Sequence, residues 1–322
     1  MEQEFFATKP SDPQGPWDVA VIGSGPSGLT AAIYTTRGAA STLILGGEVW
    51  GGQLMLTTVV DNFPGFPEGI EGPALMEKMK AQALRFGALF VAANAESIDI
   101  DKKFFEIKAG GKVYQARSVI IATGARTLWL DAPGVRELIG KGISSCAPCD
   151  APFFRNKRVA VVGGGDSAME EAHVLTRYAS EVIIIHRRGE FKASAAMQEK
   201  VKNNPKIKIL WNTEVVKANG EGRLESVDLK NNMDNSVTTL PLDGLFIAIG
   251  HAPATEIFKG KVELDERGFV INRGTKTNVP GVFVSGDVHD HAYEQAVTAA
   301  GFGCMAGMDV LRYLEESENK AK

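Results

Sequence analysis

The chain carries one unit twice, and that repetition constrains its fold more than any other feature. Residues 18–23 (Asp-Val-Ala-Val-Ile-Gly) read as a buried strand. The run Gly23-Ser24-Gly25-Pro26-Ser27-Gly28 follows, then an apolar-periodic helix to about Arg37 and a strand from Thr42 to Leu45. Residues 158–163 (Arg-Val-Ala-Val-Val-Gly) begin the series again, leading into Gly163-Gly164-Gly165-Asp166-Ser167-Ala168, a helix to about Tyr178 and a strand from Glu181 to Ile185. Strand, glycine loop, helix and strand within roughly 30 residues form the smallest βαβ unit that binds a dinucleotide. A later pair also matches: Val119-Ile-Ile-Ala-Thr-Gly124 is paralleled by Leu245-Phe-Ile-Ala-Ile-Gly250.

The duplication predicts an α/β protein with two Rossmann-like dinucleotide-binding domains. Residues beyond about 252 hold the strand-like Val282–Asp287 and a helix expected from about Tyr293 to Glu315, but they open no third βαβ unit. They are therefore expected to return to the first domain, which is discontinuous (residues 1–126 and 252–322), with the second at 127–251. Linkers fall near Gly124–Thr127 and Gly250–Pro253, and the charged tail Glu315–Lys322 is expected to fray. The length of 322 residues suits two domains at roughly 150 each.

Charge and cysteine content narrow the function. Lys and Arg number 35 against 39 Asp and Glu, a net −4, which argues against a protein that coats nucleic acid. The N-terminus, Met1-Glu2-Gln3-Glu4, lacks the basic and apolar regions of a secretory signal, and apolar runs stay below the ~18 residues of a membrane helix. Three cysteines (Cys146, Cys149 and Cys304) are too few, and odd, for a secreted disulfide framework. A cytoplasmic protein is expected, with no membrane or nucleic-acid partner.

The two glycine loops differ in a telling way. In the first, Gly23 permits the tight turn, Gly25 lets backbone approach a pyrophosphate, and Gly28 lets helix pack on strand. Glu48, just past the second strand, is the candidate for a ribose hydroxyl. In the second, Ala168 takes the third small position, and the following strand ends in His186-Arg187-Arg188 with Lys192 close behind. A carboxylate there would repel a 2′-phosphate, whereas a guanidinium binds it through two hydrogen bonds. One acidic and one basic ribose end suggest FAD and NADPH.

Cys146-Ala147-Pro148-Cys149-Asp150 is a C-x-x-C pair followed by an acid. With no second ligand pair nearby, no metal site is expected. Such a pair can close a small reducible disulfide, with Asp150 carrying a proton, or can be two buried structural thiols. Cys304, in a small-residue helix, reads as core packing. Trp50 packs either on an adenine or on the protein surface, and His289 and His291 receive no catalytic role.

Taken together these motifs resemble the low-molecular-weight thioredoxin reductases over essentially the full length. The matching residues are Gly23–Gly28, Gly51-Gly52-Gln53, Asn62 with Pro64-Gly65, Ala122-Thr123-Gly124, Cys146–Asp150, Gly163–Ser167, His186–Arg188, and Gly286-Asp287 with Gln295-Ala296. The resemblance implies FAD on Gly23, Ser24, Gly25, Pro26, Ser27, Gly46, Gly47, Glu48, Gly51, Gly52, Gln53, Asn62, Val91, Ala122, Thr123, Gly124, Gly286, Asp287, Glu294, Gln295 and Ala296. Asp287 would meet the ribityl chain. It implies NADPH on Gly163, Gly165, Asp166, Ser167 and His186, with the 2′-phosphate on Arg187, Arg188 and Lys192. It further implies that Cys149 faces the flavin, that Cys146 attacks an oxidised thioredoxin, that Asp150 is the acid–base group, and that the protein is a homodimer. Three residues depart from the pattern: Glu294 and Lys192 stand where Arg is common, and Pro148 lies between the cysteines. The thiol pair must reach both the flavin and a protein partner, so rotation of the second domain about the linkers is expected.

Overall fold

Strands that are apolar on both sides need cover on both faces. β1 (Trp17–Ile22) is such a strand, and it leads through the glycine loop into α1 (Pro26–Arg37) and β2 (Thr42–Leu45). Next come α2 (Gly72–Arg85), β3 (Leu89–Val91), β4 (Ala95–Asp99), β5 (Phe105–Ala109) and β6 (Lys112–Ile121). They form a seven-stranded sheet in the order β3-β2-β1-β6-β5-β4, with the late strand Val282–Val284 also paired to β6. The pairs β1–β2, β1–β6 and β2–β3 are parallel, while β4 and β5 add antiparallel strands at one edge. On β1, Val19 and Val21 pack with α1, α2 and the final helix (Ala296–Ala321); Trp17, Ala20 and Ile22 pack on the other face with Ile107 and Phe258.

The computed structural model describes residues 10, 12–57 and 59–321. They divide into two units, one holding the described residues up to Arg126 and from Ala252 onward, the other Thr127–His251. The expectation for Met1–Glu4 lies outside the described residues. Small residues bring the returning chain into the first unit. A Cβ on Gly303 would lie 2.2 Å from the Ser27 carbonyl oxygen, and one on Gly307 would lie 2.9 Å from Tyr34 Cβ. The final helix thus crosses α1 at near backbone contact, which side chains larger than hydrogen would prevent.

In the second unit, β7 (Ile143–Ser144) and α3 (Ala147–Asp150) precede β8 (Arg158–Val162), α4 (Asp166–Leu175), β9 (Glu181–Ile185), α5 (Ala195–Lys202) and β10 (Ile207–Leu210). An antiparallel sheet of β11 (Thr213–Asn219), β12 (Ser226–Asn231) and β13 (Val237–Pro241) comes before β14 (Gly244–Ile247). The parallel sheet runs β7-β14-β8-β9-β10. Val159, Val161 and Ile184 pack under α4, while Ala160, Ile183 and Ile185 meet Val215, Val227 and Leu229.

Two helix ends differ from expectation. The final helix starts at Ala296, not near Tyr293. Asp290 Oδ1 accepts the Ala292 and Tyr293 N–H groups, and Glu294 is left-handed (φ 49°), so the chain turns before it can coil. At the other end the helix runs to Ala321, so the segment from Glu315 is helical through Ala321 rather than frayed. Among the described residues no helix is long and apolar enough to cross a membrane.

Candidate active site

The first glycine loop gathers several stretches of its own unit. Gly23 is left-handed (φ 119°), and its Cβ would lie 2.1 Å from the Ala122 carbonyl oxygen. A Cβ on Gly28 would lie 2.3 Å from the Gly23 carbonyl oxygen, but one on Gly25 would meet nothing within 4 Å. The outer glycines serve turn and packing, and the middle one leaves open space at the start of α1. No side chain caps this helix, and Pro26 sits in its first turn. Its free N–H groups and the roughly half-unit positive dipole end make an anion cradle.

Ser24 holds this cradle from behind. Its buried hydroxyl donates to the Gly46 carbonyl (2.6 Å) and accepts the Gly51 N–H (3.0 Å). Ser27 Oγ meets Ser285 Oγ at 2.5 Å, beside Gly286. The Gly46 N–H donates to the Val91 carbonyl, and Glu48 is exposed after the left-handed Gly47. Gly52 comes within reach of Gly25, since its Cβ would stand 3.4 Å from Gly25 Cα. Gln53 Nε2 donates to the Ala125 carbonyl, beyond left-handed Gly124, and Thr123 Oγ1 donates to the Ala254 carbonyl. Asn62 Nδ2 donates to Gln295 Oε1 (3.2 Å), next to Ala296 at the start of the final helix. Trp50 stacks edge-on against Phe90 under the Lys80 ammonium.

Carboxyl groups crowd the far side of this site. Asp287 Oδ1 is buried, with no hydrogen-bond partner among the described residues, and so is Asp290 Oδ2. Burial, then the Asp290 charge, pushes Asp287 up to about 6. Burial, then Asp287 and Asp290, pushes Glu294 up to about 7, against the pull of Arg267. Burial lowers His289, which packs edge-on against Phe302, while His291 is exposed beside Phe269. An unpaired buried acceptor such as Asp287 Oδ1 is what a ligand hydroxyl would satisfy.

The second loop repeats the first. Gly163 has no room for a side chain, because its Cβ would lie 2.4 Å from the Ala248 carbonyl oxygen. Gly165 opens on empty space, and α4 has no side-chain cap. Ser167 is exposed on its first turn. A strap from Arg187 to Ser194 is tied to this loop. The Lys192 and Ala193 N–H groups donate to the Gly164 carbonyl (2.8 and 3.1 Å), and the Ser194 N–H and hydroxyl both donate to Asp166 Oδ1 at 2.8 Å. Those two bonds hold the Asp166 carboxyl below its ordinary value. Arg187, Arg188 and Lys192 are exposed, and among the described residues none of the three forms an ion pair. His186 is buried, with its ring packed against Gly164 and Nε2 at 2.9 Å from the Glu190 carbonyl oxygen. It shapes the loop from beneath.

In the same unit Cys146 and Cys149 close a disulfide across α3, with Cα atoms 5.3 Å apart. Asp150 ends that turn, and its N–H donates to the Cys146 carbonyl. Burial raises the Asp150 carboxyl above its ordinary value, and a hydrogen bond from Ser144 opposes the rise. Pro148 occupies the first helical turn, where a backbone N–H has no intrahelical partner anyway. Cys304, half-buried, lies 3.9 Å from Met308 Sδ.

A family described as pyridine nucleotide-disulphide oxidoreductase matches residues 17–303. The chain belongs to this family. It is similar to a thioredoxin reductase of Chlamydia pneumoniae, 49% identical over 303 residues, covering 91% of this chain and 97% of that one. It is 46% identical over 312 residues to a protein of Mycobacterium leprae named bifunctional thioredoxin reductase/thioredoxin, covering 96% of this chain and 68% of the relative. The solved thioredoxin reductase from Giardia duodenalis superposes with a TM-score of 0.88 at 41% identity, covering 93% of this chain and 99% of that one. This member of the pyridine nucleotide-disulphide oxidoreductases therefore has their mixed α/β fold, is an oxidoreductase, and uses FAD and NADPH.

Proposed function

We propose that the chain reduces the disulfide of a thioredoxin at the expense of NADPH, the first unit holding FAD and the second holding NADPH and the redox pair. The observation that carries this reading is the closed Cys146–Cys149 disulfide with a half-buried carboxyl one residue on. Bound FAD supplies a two-electron carrier between a nicotinamide and a disulfide. The residues present fit it: Gly25 and the uncapped start of α1 receive its pyrophosphate, and Asp287 Oδ1 accepts a hydroxyl. Arg187, Arg188 and Lys192 receive the 2′-phosphate of NADPH beside the start of α4.

The reduced pair then acts on the partner. Cys146 loses its proton to Asp150 and attacks one sulfur of the thioredoxin disulfide. Asp150 returns that proton to the departing thiolate. Cys149 then attacks Cys146, restoring the disulfide and releasing the second thiol. The protein works as a cytoplasmic homodimer; exposed Tyr34, Met305 and Met308 on α1 and the final helix support a second copy there. Cys149→Ser tests the assignment. NADPH oxidation with a quinone dye should persist near wild type, while thioredoxin reduction should fall at least a thousand-fold. Retained thioredoxin reduction would overturn it.

A further inference from the structure

Ser144 carries no motif, yet it sits between the two groups that matter most in the second unit. It ends β7 and is 8% exposed. The Cys146 N–H donates to its Oγ at 3.1 Å, and its O–H donates to Asp150 Oδ2 at 2.5 Å. A hydroxyl has one proton. With Oγ already accepting from Cys146, that proton is directed at the carboxylate. The bond is charge-assisted when Asp150 is ionised and ordinary when it is neutral, so it favours the ionised form.

We propose that Ser144 is a positioning residue that fixes the Asp150 carboxylate beside Cys146 and keeps it ready to accept a proton. This rests on the reading of Asp150 as the proton carrier of the pair. The step it supports is balanced. The Cys146 S–H proton passes to Asp150, the new thiolate attacks the partner disulfide, and the leaving sulfur takes the proton back. When the mixed disulfide resolves, two thiols have become one disulfide and the partner's disulfide has become two thiols. No other oxidant or reductant enters.

The remaining groups near Asp150 do not account for the effect. Helix α4 packs on α3 and carries Asp166, Glu170, Glu171 and His173, and the cysteine thiols titrate once reduced. Burial and Ser144 alone set the direction of the Asp150 shift. Burial alone would leave the carboxyl protonated over a wider pH range, and a protonated carboxyl cannot accept the Cys146 proton. Ser144 therefore extends the working range toward acid.

The test is an infrared titration of the Asp150 carboxyl band in the full-length holoprotein, identified by its loss in Asp150→Asn. Alongside it, the pH profile of stopped-flow exchange between the pre-reduced protein and an oxidised thioredoxin is recorded. Ser144→Ala should raise the band's midpoint by about one pH unit, the scale of a lost hydrogen bond to a charged group. The acidic limb of the exchange profile should move with it. Ser144→Thr, which keeps the hydroxyl, should restore both. A Ser144→Ala midpoint equal to wild type would overturn the role of Ser144. An exchange profile unchanged in Asp150→Asn would instead overturn the reading of Asp150.

Discussion

At the residue scale, burial decides what each polar side chain can do. Asp287 and Glu294 are acids pushed up to about 6 and about 7, from ordinary values of 3.8 and 4.5. A raised carboxyl binds its proton more tightly folded than unfolded. Its contribution to stability is thus complete below the unfolded value and lost as pH rises through the folded one. The melting temperature of the FAD-free protein should therefore fall between about pH 4 and pH 7. Glu294→Gln should flatten the upper part of that fall, by about 2–4 °C per kcal/mol relieved; an unchanged pH slope would contradict the burial argument. The same scale shows what sequence reading reaches. Asp287 is legible because an acid after a strand-ending glycine is a recognisable pattern. Ser24 and His186 read as ligand contacts, but the Ser24 hydroxyl spans Gly46 and Gly51, and the His186 ring lies under Gly164. Ser144 is illegible, because a serine two residues before a cysteine acquires its meaning only when a turn brings Asp150 back to it.

At the element scale, glycine spacing encodes both turn and cradle, and the two can be separated. Gly28→Ala places a methyl 2.3 Å from the Gly23 carbonyl oxygen and should destabilise the fold by about 1–3 kcal/mol, as overpacking does. Gly25→Ala meets no protein atom within 4 Å, so melting of the FAD-free protein should stay within about 0.5 kcal/mol of wild type while FAD retention after gel filtration falls at least ten-fold. Equal FAD retention in Gly25→Ala would show that this loop does not face the cofactor. Strand and helix identity came through from periodicity and glycine position; helix ends came through less well. The start of the final helix depends on Asp290 capping a turn and on Glu294 entering the left-handed region, and neither leaves a periodic trace. The strap that Ser194 ties to Asp166 joins residues 28 apart, beyond the reach of local pattern.

At the scale of the whole molecule, the chain divides between residues 126 and 127 and again between 251 and 252. The candidate FAD residues fall in one unit and the redox pair in the other. The pair must take electrons at one stage and meet a protein-sized partner at another, so turnover needs the units to change their arrangement about the two crossings. A covalent cross-link between the units should lower thioredoxin turnover at least ten-fold while FAD stays bound; full turnover in the cross-linked protein would refute the motion. The most direct test of the account is a thiol count. The purified holoprotein is mixed with limiting NADPH and excess oxidised thioredoxin, and new thiols are titrated on the separated thioredoxin. The account predicts two thiols for each NADPH consumed, and none when Cys146 and Cys149 are both serine; NADPH consumed without thiols appearing, or thiols appearing with both sulfurs removed, would contradict it.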